Sequence, residues 1–105
     1  MCLIALSIKK ELDWKGKEGY FFTIVANRDE YHDRPTKHLH WWEGDNILAG
    51  QDELAGGTWL GFSKTGRFAA LTNYKESTSK KFKLSRGLLI TDFLQSNLSA
   101  KYYLE

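Results

Sequence analysis

Three places in this chain carry residue types suited to chemistry: Cys2, the run Asn27, Arg28, Asp29 and Glu30, and Asn73. A cysteine in second position gains meaning when the initiator methionine is removed, as it usually is before a small residue. The thiol, ordinarily of pKa near ~8.5, then shares its residue with a free α-amine of pKa near ~8. The amine can take the thiol proton locally, so the base is built into the nucleophile. Beside a thiolate, Arg28 would lower the thiol pKa and hold an acyl carbonyl or a carboxylate. Asp29 could orient the amine, and the Asn73 amide could donate to a developing oxyanion. Each residue also has an ordinary structural explanation. Free cysteine is among the most buried residue types, Arg28 with Asp29 and Glu30 could be an ion-pair network fastening a loop, and Asn73 could form a turn at a strand end.

The elements around these residues decide whether they can meet. "FFTIVA", residues 21–26, reads as a buried strand, and successive strand residues point to opposite faces. Residues 27–30 can therefore act together only if the strand has ended, and the loss of apolar residues before the single proline, Pro35, predicts that it has. "CLIALSI" reads as an earlier strand, joined by a hairpin loop at "DWKGKEGY". Residues 38–62 mix short strands with Gly-rich turns, and "SKTG" joins "GTWLGF" to "RFAALTNY" as a second hairpin, with Asn73 at its end. Ser85 caps a helix whose Leu88, Leu89, Phe93 and Leu94 share a face and which ends near Asn97. Ser99 opens another helix, inside which the chain stops, as expected of the N-terminal part of something longer.

The order of strands in antiparallel hairpins followed by helix is an α+β pattern, and 105 residues make one domain, 1–105. One amphipathic helix does not cover a sheet that is apolar on both sides. The expected cover is a missing C-terminal half or a second copy of the chain, that is, a homodimer.

Composition narrows the functional classes. The hydrophobic share is 42%, enough to build a core, and the net charge of +2 is scattered apart from Lys80, Lys81 and Lys83. Such a run reads as a solvated loop, so no nucleic-acid partner is expected. One cysteine excludes an internal disulfide. The N-terminus lacks a secretory leader and no apolar run reaches the ~20 residues of a membrane span, so a soluble, cytoplasmic protein is expected. His32, His38 and His40 do not complete a four-ligand metal set at normal spacing, and no metal or other cofactor is expected. "GQDELAGGTWLGF" lacks the Lys-Ser/Thr ending of a phosphate loop; its glycines fit tight turns and close packing on aromatics, and Asp52 could hold that turn or line a pocket.

Taken together, "MCLI", "ANRDE", the following "RP", "LAGQDELAGGTWLG", "GRFAALTNY" and "SRG" resemble the NRDE family, also called the transport and Golgi organisation protein 2 family. The likeness runs along the whole chain. That family is similar to N-terminal nucleophile (Ntn) hydrolases, bile-salt hydrolases and penicillin V acylases among them, which implies an αββα four-layer sandwich. It also implies Cys2 as nucleophile, Arg28 and Asp29 beside it, and Asn73, followed by Tyr74, as oxyanion donor. The Arg/Asp spacing differs from that of the acylases, so Glu30 can stand in for Asp29. Family members are more than twice this length, so the likeness is to their N-terminal part.

Two functions follow as expectations. One is a cysteine amidohydrolase acting on a small acylated amide. The other is a non-enzymatic protein of the secretory pathway that handles a lipid or haem in the same pocket, with Trp41, Trp42, Trp59 and Phe62 as its walls. Asn27, Glu30, Trp59 and Trp42 are the expected ligand contacts in either case.

Overall fold

The hairpin β1 (Ile4–Leu12) and β2 (Glu18–Ala26) pairs antiparallel from Ile4 opposite Ala26 to Leu12 opposite Glu18. Its turn is tied by Asp13, whose Oδ1 accepts from the backbone N–H groups of Lys15 at 2.9 Å and Lys17 at 2.8 Å. This is a computed structural model, and it describes residues 2–44, 46–73 and 85–105. Met1, Tyr74 and the lysines at 80, 81 and 83 lie outside the described residues.

The register sets Leu6 beside Ile24 and Ile8 beside Phe22 on one face of the hairpin. Leu6 and Ile8 stay exposed, as do Phe21 and Val25 on the opposite face. The expectation of a buried β2 is thus corrected, because among the described residues β1 and β2 pair only with each other and little packs on them. Phe22 is the link to the rest: its ring meets those of Phe62 and Phe68 edge-on, at 6.0 and 5.1 Å.

A second, antiparallel sheet has the order β3 (Thr36–Trp41), β4 (Ile47–Asp52), β5 (Leu60–Ser63) and β6 (Phe68–Ala70). Helix α1 (Arg86–Gln95) lies across β4, β5 and β6. Between them sit Trp42, Ile47, Ala49, Ile90 and Leu94, the core of the molecule. Ile47 is wholly buried, which stabilises the fold by roughly 2 kcal/mol.

Ser85 caps α1 as expected, its Oγ accepting from the N–H of Gly87 at 3.3 Å. The buried stripe, however, is Ile90, Thr91 and Leu94, and Leu89 faces solvent. Contact at Gly87 sets this rotation: a Cβ there would lie 3.0 Å from the Thr58 carbonyl oxygen. Residues 87, 90, 91 and 94 then fall on one side at helical spacing. The helix stops at Gln95 with Ser96 as its cap. Arg67 holds that end by donating from Nε to the Phe93 carbonyl at 3.0 Å and stacking over the Phe93 ring at 4.0 Å. Helix α2 (Ala100–Leu104), capped by Ser99, is tied back where the Tyr103 hydroxyl donates to the Leu89 carbonyl at 2.7 Å. Among the described residues no helix is long and apolar enough to cross a membrane.

Candidate functional site

Strand β2 stops at Ala26, which frees residues 27–30 from the alternation of the ladder. Asn27 then ties the two strand ends together. Its Oδ1 accepts from the Leu3 N–H at 2.7 Å, and its own N–H donates to the Leu3 carbonyl at 3.1 Å. This pair of hydrogen bonds fixes Leu3, the residue next to Cys2. Cys2 in turn faces a cavity of about 390 Å³ that is also lined by Arg28, Asp29, Glu30, Trp59 and Asn73.

Six of the eight residues expected at the site thus share one cavity, although they come from distant parts of the chain. The other two lie elsewhere. Asn27 serves as the clamp just described. Trp42 is buried in the core, where its Nε1–H donates to the Ala49 carbonyl at 3.2 Å. Trp41 is exposed beneath Lys64, since adjacent residues on an extended chain face opposite ways. Phe62 belongs to the Phe22–Phe68 cluster. Among the described residues the aromatic wall expected for a flat or fatty ligand is therefore reduced in this cavity to Trp59.

The charged wall is built on Asp52, at the end of β4. Its Oδ2 accepts from Arg34 Nε at 2.8 Å, with Arg34 Nη2 at 2.6 Å and Arg28 Nη2 at 3.6 Å. Its Oδ1 accepts from the N–H groups of Leu54 at 3.0 Å and Ala55 at 3.3 Å, so Asp52 both holds its turn and lines the cavity. Burial pushes the Asp52 carboxyl up, but the Arg34 hydrogen bond, the amides of Ala55 and Leu54 and the charge of Arg34 together hold it below the usual carboxylate value. Hydrogen bonding to Asp52 outweighs burial at Arg34 and raises its guanidinium above the usual value.

Arg28 is 16% exposed. It donates from Nη1 to Thr36 Oγ1 at 2.8 Å and lies 4.9 Å over the Trp59 ring. Trp59 in turn rests against Gly50, where a Cβ would come within 2.6 Å of the indole. Glu30 stands 3.9 Å from Arg34 and accepts from the Tyr31 N–H at 3.1 Å. The Arg28 guanidinium is thus fixed by stacking, a hydrogen bond and an ion pair.

The far wall is the first turn of α1, with Ser85, Arg86 and Gly87. It approaches the β4–β5 turn so closely that a Cβ on Gly57 would lie 2.5 Å from the Gly87 carbonyl carbon. That turn closes through Gly56 at φ +80°, its N–H donating to the Asp52 carbonyl at 2.7 Å. Strand β6 ends at Ala70, so Asn73 stands three residues past it rather than at the strand end. Leu71, donating to the Trp59 carbonyl at 2.9 Å, extends the pairing towards it.

Sequence patterns do not single out Arg34, Ser85, Arg86 or Gly87 as site residues. The pairing of Gly57 with Gly87 is the signal that could have found the far wall, since two glycines permit two backbones to touch. His40 donates from Nδ1 to the His38 carbonyl at 2.6 Å and stacks near Trp42. Among the described residues no group of three or more His, Cys, Asp or Glu is placed to hold a metal ion.

Comparison with known proteins adds a relationship to this geometry. The family model described as Transport and Golgi organisation 2 matches residues 1–105. The Transport and Golgi organization 2 homolog of Mus musculus is 40% identical over 93 residues, covering 85% of this chain and 34% of that protein. The Homo sapiens protein of similar name is 41% identical over 93 residues, with the same coverage. An uncharacterised protein of Saccharomyces cerevisiae is 35% identical over 85 residues, 27% of its length. The chain spans about a third of the length of these curated relatives. No solved structure matches.

Proposed function

The chain belongs to the Transport and Golgi organisation 2 family, and from that membership and its cavity we propose that it is a cysteine amidohydrolase acting on a small acylated amide. The observation that carries this reading is the convergence of Cys2, Arg28, Asp29 and Asn73 on one cavity of about 390 Å³. With Met1 removed, the α-amine of Cys2 takes the thiol proton and the thiolate attacks the amide carbonyl carbon. Asn73 Nδ2 and a backbone N–H hold the oxyanion. Collapse breaks the carbon–nitrogen bond, the leaving amine takes the proton from the α-ammonium, and an acyl-thioester remains on Cys2. Water then attacks that ester, the α-amine accepts its proton, and the thiol is restored. Arg28 holds the acyl carbonyl and Asp29 orients the amine.

Six charged side chains among the described residues around so small a space suit a polar amide better than a lipid or haem, and the core position of Trp42 removes one aromatic wall from the carrier reading. The same proposal takes residues 1–105 as the N-terminal part of a longer αββα Ntn-type sandwich. The uncovered apolar faces of β1 and β2 support that reading, and further chain or a second copy would cover them. The test is rapid acid quenching of the protein during turnover of a panel of small anilides, followed by intact mass. An acyl adduct on residue 2, absent from a folded Cys2→Ala variant, is the expected result. Equal hydrolysis by both proteins would refute the mechanism.

A further inference from the structure

The charges around the cavity do not cancel once their partners are assigned. Asp52 is taken by Arg34 and Arg28, Glu30 stands near Arg34 and accepts from Tyr31, and Asp29 has an interaction of its own. Arg86 lines the same cavity, yet its side chain has no hydrogen-bond or ion-pair partner among the described residues. Its place in the fold makes this costlier. Arg86 is the first residue of α1, where the helix dipole disfavours a cation, and no acidic residue in that turn compensates it. Arg86 is exposed, so water solvates its charge, and no contact among the described residues gives the fold a reason for an arginine here.

We propose that Arg86 is the specificity-determining residue of the cavity and that it binds a carboxylate on the small amide presented to Cys2. The inference rests on the amidohydrolase reading for its reaction but not for its test. A carboxylate would neutralise the charge that is left unpaired at the wall among the described residues and relieve the unfavourable placement at the start of α1. The substrate is then an amide with an acidic group remote from its scissile bond, while Arg28, held by Thr36, Trp59 and Asp52, is left to the reacting end.

Cys2 is the one cysteine of residues 1–105, so the mass of its alkylated N-terminal peptide reads the cavity directly. The rate constants for iodoacetate and the neutral iodoacetamide, which differ in one carboxylate, are measured on the full chain by the mass of that peptide. Arg86→Gln is expected to slow iodoacetate about fivefold, the size of one partly solvated guanidinium–carboxylate contact, and to change iodoacetamide less than twofold. Arg86→Lys should restore part of the loss, and Lys101→Gln, at an exposed residue that does not line the cavity, should leave the ratio unchanged. Arg86 is exposed, and a melting curve checks that its variants fold. An unchanged ratio in Arg86→Gln, or equal slowing of both reagents, would overturn the proposal. A wild-type thiol no faster than free cysteine towards iodoacetamide would instead count against the amidohydrolase, with the ratio still deciding on Arg86.

Discussion

Replacing Asp52 by asparagine removes one negative charge from a wall that holds two arginines and leaves the side chain's shape intact. Asp52 is 13% exposed and its partners Arg28 and Arg34 are 16% and 33% exposed, so the pair is shielded without being fully desolvated. Breaking a wholly buried pair costs about 3–5 kcal/mol, and the partial exposure here brings that to roughly 2 kcal/mol for Asp52→Asn. Asp52→Ala also strips the Leu54 and Ala55 amides of their acceptor and should cost about 1 kcal/mol more. In a domain of this size, about 2 kcal/mol corresponds to a melting point roughly 8–16 °C lower. The pH dependence follows from the lowered carboxyl: the folded protein binds the Asp52 proton less readily than the unfolded chain. The stabilisation is therefore complete above the unfolded value near ~4 and is lost as the pH falls through the lower folded value. Thermal melts of wild type and Asp52→Asn should differ fully at pH 7 and converge in acid below pH ~4. Melting points within about 2 °C at pH 7, or a gap that persists unchanged in acid, would refute the assigned role of this carboxylate.

Three further outcomes are expected. Gly57→Ala should cost roughly 1–3 kcal/mol in urea unfolding, because its Cβ would meet the Gly87 backbone at 2.5 Å and no side-chain rotation relieves that. Ser85→Ala should cost about 0.5–1 kcal/mol, the low end for an N-cap given the 3.3 Å bond to Gly87, read from the same titration. Asn27→Ala should cost about 1 kcal/mol and speed hydrogen exchange at the Leu3 amide, since that N–H loses its 2.7 Å acceptor.

The grouping of residues around the cavity was more legible than the packing of its surroundings, for identifiable reasons. The change from Ala26 to Asn27 is abrupt and local, so the end of β2 and the release of residues 27–30 could be read from composition. The Ser85 cap was legible in the same way, since capping depends on neighbours in sequence. The face of α1 was not: Leu88, Leu89, Ile90 and Phe93 are all apolar, and a glycine contact thirty residues away in sequence, at Gly57, chose which of them turned inward. Trp41 and Trp42 show the same limit, since composition cannot say which of two adjacent indoles enters the core. The ion pairs of Asp52 with Arg34 and Arg28 span 18 and 24 positions and form only when β3 pairs with β4, so no local pattern announces them. The exposure of β2 was hidden for a different reason, since an apolar strand reads as buried whatever chain is at hand to cover it.

The central claim, that Cys2 is a nucleophile with its own base, is tested most directly by the intact mass of the protein purified from its own cells. The mass is taken before and after brief iodoacetamide treatment at neutral pH. The account predicts loss of one methionine and rapid alkylation at a single site, well ahead of free cysteine under the same conditions. Retention of Met1, or a thiol that reacts no faster than free cysteine, would contradict it.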